Sequence, residues 1–174
     1  MVRRIYYLVA FCLIFCGFIN AQTISQMGFV IKKGLPEIEH IAVICNLTDK
    51  DKITNEAKTA YLVTRKQFHV YAIKSHTDLP KVMQGVRDFK NCAVIIVTDN
   101  QALNQKSVKY IAQKLGLKKI PVISNRDGDT KLGAIFSIIK EGEAIQTHLS
   151  KVAINALQLS LSDEFVNSCV LDVP

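Results

Sequence analysis

The chain has 174 residues, 49% of them apolar, with 22 Lys and Arg against 15 Asp and Glu and a formal net charge of +7. The basic residues are scattered, with no dense block and no interleaved aromatics, which argues against nucleic-acid binding and leaves only weak attraction to an anionic surface or acidic partner. No GxGxxG, GxxxxGK[ST], CxxC or Cys/His cluster is present, so neither phosphate cradling nor a metal site is indicated and no cofactor is expected.

The first residues combine the cations Arg3 and Arg4, an apolar run from Ile5 to Ile19 and the small residue Ala21. That is the three-part pattern of a secretory signal peptide, and the run is shorter than the roughly 20 residues a membrane-spanning helix needs. The expectation is an exported, periplasmic protein cleaved near Ala21, with 1–21 as signal and 22–174 as a single α/β domain large enough for a sizeable core.

Residues 23–39 are ambiguous between a short helix and a strand, ending at a turn around Gly34-Leu35-Pro36. From there the pattern is regular. HIAVIC (40–45) is a short, continuous apolar run, the mark of a strand covered on both faces. Residues 51–66 place Ile53, Ala57, Ala60, Tyr61 and Thr64 at helical spacing. A strand, HVYAIK (69–74), follows, and Thr77 or Asp78 then caps a helix with Leu79, Val82, Met83 and Val86 on one face. CAVIIVT (92–98) reads as a central strand. Val108, Ile111, Ala112 and Leu115 mark a third helix stopping at Gly116, and IPVIS (120–124) gives a fourth strand.

Strands alternating with helices predict right-handed βαβ units, hence a three-layer, flavodoxin-like parallel sheet with helices on both faces and strand order 2-1-3-4-5. Residues 134–149 alternate in two runs around Glu141-Gly142-Glu143, predicting a C-terminal β-hairpin at the sheet edge. A helix capped by Ser150 then points Val152, Ala153, Ala156 and Leu157 inward, and a last turn capped by Ser162 leads to the C-terminus.

In an open parallel sheet, ligands bind beyond the carboxyl ends of the strands. There this chain carries Asn46, Thr48, Thr98, Asp99, Asn100, Ser124 and Asn125, uncharged donors and acceptors with one carboxylate, which suit a small polar solute. The same residue types serve strand-to-helix turns and helix caps, so both readings stand. His40, His69, His76 and His148 are isolated in sequence, and no Ser, Cys or Lys nucleophile has an apparent partner base, so no enzyme is expected. Asp127-Gly128-Asp129 reads as a turn rather than a calcium loop. Three cysteines follow the signal. Cys45 near the end of one strand and Cys92 near the start of another are badly placed to bond; a Cys92–Cys169 disulfide or buried thiols are the alternatives.

Two resemblances rest on these residues. IAVICN, DLPKVMQGV, AVIIVTDN, IPVIS and LGAIFS, between Ile41 and about Ile139, resemble in layout one lobe of an ABC-type periplasmic substrate-binding protein. That resemblance implies a solute-binding module of a transporter or sensor. The hairpin opened by Gly133-Ala134-Ile135 and closed by Thr147-His148-Leu149, the helix Lys151-Val152-Ala153 to Ala156-Leu157 and the tail Ser160-Leu161-Ser162 to Phe165-Val166 resemble the YfiR-like family of small exported α/β proteins. This second resemblance implies a non-enzymatic periplasmic regulator that represses a membrane signalling protein with a periplasmic domain, of diguanylate-cyclase type. An unpaired cysteine offers such a regulator a redox input.

Overall fold

The computed structural model describes residues 24–99, 101–141 and 144–172. The expected signal segment 1–21, Asn100 and the hairpin turn at Gly142 and Glu143 lie outside the described residues.

The ambiguous first segment is a helix, α1 (Ile24–Gly34), whose Ile24, Met27 and Ile31 fall on one buried stripe. Thereafter the chain runs β1 (His40–Asn46), α2 (Lys50–Thr64), β2 (Gln67–Ile73), α3 (Leu79–Arg87), β3 (Cys92–Ile96), α4 (Gln105–Gly116) and β4 (Val122–Ser124). It finishes with β5 (Phe136–Glu141), β6 (Ala144–Ser150), α5 (Lys151–Leu157), α6 (Asp163–Asn167) and β7 (Val170–Asp172). The seven strands form one sheet in the order β2-β1-β3-β4-β5-β6-β7. β1 to β5 are parallel, β6 returns antiparallel to β5, and β7 runs parallel to β6. The expected 2-1-3-4-5 order and the hairpin are both present, and the fold is a flavodoxin-like α/β sheet.

Alternate residues of each strand feed opposite layers, because successive side chains of a strand point to opposite faces. Ile41, Val43, Cys45, Ala93, Ile95, Ile123, Phe136 and Ile138 pack with α1, α2, α5 and α6. Ala42, Ile44, Cys92, Val94, Ile96 and Val122 pack with α3 and α4. β3, buried at all five positions, is fully interior, as its continuous apolar run predicts.

Local chemistry explains the element ends. The Asp78 carboxylate accepts the Lys74 and Ser75 N–H groups at 2.8 and 3.0 Å and so closes the 3-10 turn His76–Asp78 that leads into α3, whose buried face is Leu79, Val82, Met83 and Val86, as the spacing predicts. Asn104 caps α4 through the N–H groups of Lys106 and Ser107. Ser150 and Ser162 cap α5 and α6 by accepting from Ala153 and Phe165. α6 carries one large apolar group, Phe165, whose ring sits edge-on to Phe136 at 5.4 Å. It also lies against Gly34, where a Cβ would come within 2.6 Å of the ring, so the last helix is seated on the first.

Three expectations are corrected. Tyr61 is 45% exposed, because α2 packs on its Ile53, Ala57, Ala60 and Thr64 edge instead. On α5 the inward stripe is Ala153, Ile154 and Leu157, while Val152 and Ala156 are exposed. Cys92 and Cys169 are not bonded: Cys92 lies in the α3/α4 layer, Cys169 packs against the opposite one, and all three described thiols are free.

One connection departs from the βαβ plan. β4 and β5 are parallel neighbours, yet their link holds only a 3-10 turn, Asp129–Leu132, in place of a crossover helix. Its Leu132 and Ala134 pack into the α3/α4 layer. Gly133 has φ +106°, and a Cβ there would lie 3.0 Å from the Ala112 Cβ, so the tight link depends on glycine.

Candidate functional site

At the carboxyl ends of the strands the fold brings four of the predicted polar residues into two pairs. Asn46, ending β1, donates from Nδ2 to Asp99 Oδ2 at 2.7 Å. Because β1 and β3 are neighbours on either side of the reversal in strand order, this pair straddles the topological switch point. Beside it, Thr98 donates from both its backbone N and its Oγ1 to Asn125 Oδ1, at 2.8 and 2.7 Å, joining the ends of β3 and β4. All four residues are half-buried.

Much of this hydrogen-bonding capacity is spent on the turns themselves. Asp99 Oδ1 accepts from the N–H groups of Gln101 and Leu103, both at 2.8 Å, and Asn46 Oδ1 accepts from Thr48 N at 3.2 Å. What stays uncommitted by these bonds is the Asn125 amide nitrogen and one N–H of Asn46. Burial by itself would raise the Asp99 carboxyl, but the bonds from Asn46, Leu103 and Gln101 and the nearby His76 hold it below its ordinary 3.8, so it stands ionised at neutral pH.

The other predicted positions behave differently. Thr48 is exposed and contributes its backbone N–H only. Ser124 is fully buried, and its hydroxyl binds Asp129 inside the α3/α4 layer, away from the crest. Asn100 lies outside the described residues. His76, at the end of β2, sits 3.3 Å from the Asn104 side chain, which extends the polar rim toward the α4 cap.

A second polar cluster, not foreseen from the sequence, lies under the helix-poor end of the sheet. Arg126 donates from Nε and Nη2 to Asp129 Oδ1 at 3.1 and 2.9 Å, and Asp129 is fully buried. Next to it the Thr130 hydroxyl donates to Asp172, whose other oxygen meets His148 Nδ1 at 3.0 Å. Burial pushes the Asp172 carboxyl up, but Thr130, His148 and Lys131 outweigh it and hold the group below 3.8. The signal available beforehand was parity: Ser137 and His148 face each other across the hairpin, on the side opposite the apolar Phe136 and Ile138. Ser137 is fully buried, and neither its Oγ nor His148 Nε2 has a hydrogen-bond partner among the described residues, so Ser137, His148 and Asp172 form no nucleophile relay.

Among the described residues no group of three or more His, Cys, Asp or Glu is placed to hold a metal ion, and no helix is long and apolar enough to cross a membrane. His40 and His69 pair across β1 and β2 at 3.1 Å and stack on Phe89. Desolvation, then the neighbouring His40, lowers the pKa of His69.

No family model and no curated protein sequence matches this chain. Solved structures do. A conserved domain protein from Vibrio cholerae superposes with a TM-score of 0.76 at 12% identity, covering 87% of this chain and 61% of its own. The ABC domain in complex with L-Trp from Streptococcus pneumoniae gives 0.72 at 10% identity, covering 86% and 60%. A ligand-free, open substrate-binding protein with adhesive properties from Clostridium difficile gives 0.72 at 13%, covering 88% and 60%. The likeness is one of fold. It matches the substrate-binding-lobe layout read from Ile41 to Ile139, and this chain spans about six tenths of each neighbour's length.

Proposed function

We propose that this chain is an exported, non-enzymatic binding module built like a lobe of a substrate-binding protein, and that its strand-end crest takes a small polar solute. The observation that carries this reading is the position of Asn46–Asp99 across the switch point, with Thr98–Asn125 beside it, in a fold shared with substrate-binding proteins. An ionised carboxylate beside amide N–H donors complements a solute with both a cationic and an acceptor group, such as a free amino acid or short peptide. The test is thermal unfolding of residues 22–174 against a panel of amino acids, dipeptides and sugars. Binding to the native state raises Tm with ligand concentration, by about 2.7 kcal/mol of stability at a hundredfold excess over Kd. The shift is expected to vanish in Asp99→Ala. A panel without any shift, or a shift equal in Asp99→Ala, refutes the crest as the site.

A second reading, a periplasmic regulator of YfiR-like type that represses a membrane signalling protein, draws support from the exposed apolar groups of α2. Tyr61, Leu62 and Val63 are 45, 64 and 52% exposed, and Tyr61 and Leu62 border a groove of about 740 Å³ along β2, the end strand of the sheet among the described residues. Contiguous apolar surface of this kind favours a protein partner. Leu62→Asp abolishes repression under this reading and leaves solute-induced shifts untouched.

A further inference from the structure

Two imidazoles converge at the amino-terminal end of the sheet, at the opposite end of the strands from the solute crest. His40 opens β1, and His69 lies in β2, the end strand of the sheet among the described residues. Alternation puts His40 on the face of Ala42 and Ile44, which belongs to the α3/α4 layer, and His69 is the register partner of Ala42 on that same face. Both residues are half-buried, and His40 Nδ1 stands 3.1 Å from His69 Nε2.

The rings are supported by a third one. Phe89 stacks on both, its centroid 5.0 Å from that of His40 and 4.3 Å from that of His69. The loop that carries Phe89 is fixed in turn by Asn91, whose carbonyl accepts from the N–H groups of Glu39 and His40 at 2.9 and 3.2 Å. The pair is therefore ordered before any ligand arrives, which lowers the cost of binding.

Two neutral imidazoles meet in this way through one N–H···N hydrogen bond. The same separation is also that of two nitrogens on one metal ion. With metal–nitrogen bonds of about 2.0–2.1 Å, two ligands lie about 2.8–3.0 Å apart at a right angle and about 3.3–3.4 Å apart at the tetrahedral angle. Exchanging the hydrogen bond for a metal moves one proton to the far nitrogen of its own ring and turns the rings about χ2, a soft torsion. No net proton is released. Cys92, the register neighbour of His40 on β3, is not a third ligand, because its buried thiol donates to the Ala93 carbonyl at 3.4 Å.

We propose that His40 and His69 form a two-histidine site for a divalent late transition-metal ion, with Cu2+ preferred over Ni2+ and Zn2+. Imidazole suits all three metals, and their affinity for nitrogen ligands is greatest at Cu2+. The remaining coordination positions go to water or to a donor from a second molecule, and the ion ties the end strand to its neighbour. The site does not depend on the assignment of the solute crest.

The experiment titrates residues 22–174, freed of metal by a chelator, with Cu2+ in the presence of glycine as a competing ligand, and counts the coordinated imidazoles by pulsed electron paramagnetic resonance. One saturable equivalent with a Kd of about micromolar or tighter is expected, with two imidazoles on the ion and a Tm that rises with Cu2+ concentration. Ni2+ and Zn2+ are expected to bind more weakly. His40→Gln and His69→Gln are each expected to weaken Cu2+ binding by at least about tenfold, whereas His76→Gln and Asp99→Ala are expected to bind it normally. The imidazole count is read on the unaltered protein, so it decides the matter even where a variant folds poorly. Absence of saturable binding, a single imidazole in the unaltered protein, or an affinity unchanged by both His40→Gln and His69→Gln overturns the proposal. Two imidazoles that persist in His40→Gln place the ion on other histidines and overturn it as well.

Discussion

The two halves of the sheet are covered by different materials. From β1 to β4 every strand is joined to the next by a helix, and the layers meet through apolar contacts such as Val94, Ile95 and Ile96, all fully buried. From β4 onward the α3/α4 side is covered by a link with a single 3-10 turn, and the buried groups there include Ser124, Asp129, Thr130 and Ser137. The first half relies on area removed from water, which is indifferent to pH; the second relies on charges and hydrogen bonds that are costly to leave half-made.

The largest expected effect tests whether the halves are one cooperative unit. Phe136→Ala, which deletes a fully buried ring and its contact with Phe165, is expected to cost about 3–5 kcal/mol, and Ile95→Ala in the first half about 2–5 kcal/mol. Urea unfolding followed by circular dichroism and by tyrosine fluorescence checks this. Coincident transitions in both variants show a single unit, and separated transitions would split the sheet at β4.

Next is the polar web itself. Asp129→Ala removes the acceptor of Arg126 and Ser124 inside the protein, and roughly 2–3 kcal/mol of destabilisation is expected, since Arg126 keeps some access to water. A loss below about 0.5 kcal/mol, within the range of ordinary surface changes, would mean that the web contributes nothing of note. Gly133→Ala follows, at about 1–3 kcal/mol, because φ +106° strains any side chain and the new Cβ meets Ala112.

The pH response has the same sign at the crest and in the polar web. Asp172 and Asp99 have folded pKa values below 3.8, so their support is complete above that pH and is lost as pH falls through the folded values. Acid unfolding is therefore expected to begin below about pH 4. Asp172→Asn is expected to flatten the acid limb, with Asp99→Asn acting on the crest alone; an unchanged limb in both variants would place the acid sensitivity elsewhere. The smallest effect concerns the thiols. Burial pushes Cys45 and Cys92 up to about 11 and raises Cys169 as well, so the native protein is expected to react slowly with Ellman's reagent at pH 8 and fully only in denaturant. Fast labelling of native protein would revive a redox input.

How much of this was legible beforehand follows the same division. Where an apolar period decides the element, the reading succeeds: Leu79, Val82, Met83 and Val86 face inward as spaced, and the strand order follows from alternation alone. α1 is ambiguous in the sequence because its stripe of Ile24, Met27 and Ile31 is too short to outvote a strand reading, and the α2 and strand residues that cover it meet it only in the fold. β7 went unread for a related reason: Val170–Asp172 is three residues long and is held by pairing with β6. At the crest, residue types predicted the turns, but the pairing of Asn46 with Asp99, and the turning of Ser124 inward toward Asp129, depend on neighbours that only the fold supplies.

The seating of Phe165 against Gly34 has a consequence for how the chain folds. The layer that holds α1 is complete only when α6, far along the chain, packs against it. A contact between such distant parts of the sequence raises the contact order and slows folding. Because α2 gives α1 most of its cover, Phe165 secures the Gly34 end of the first helix rather than the whole of it.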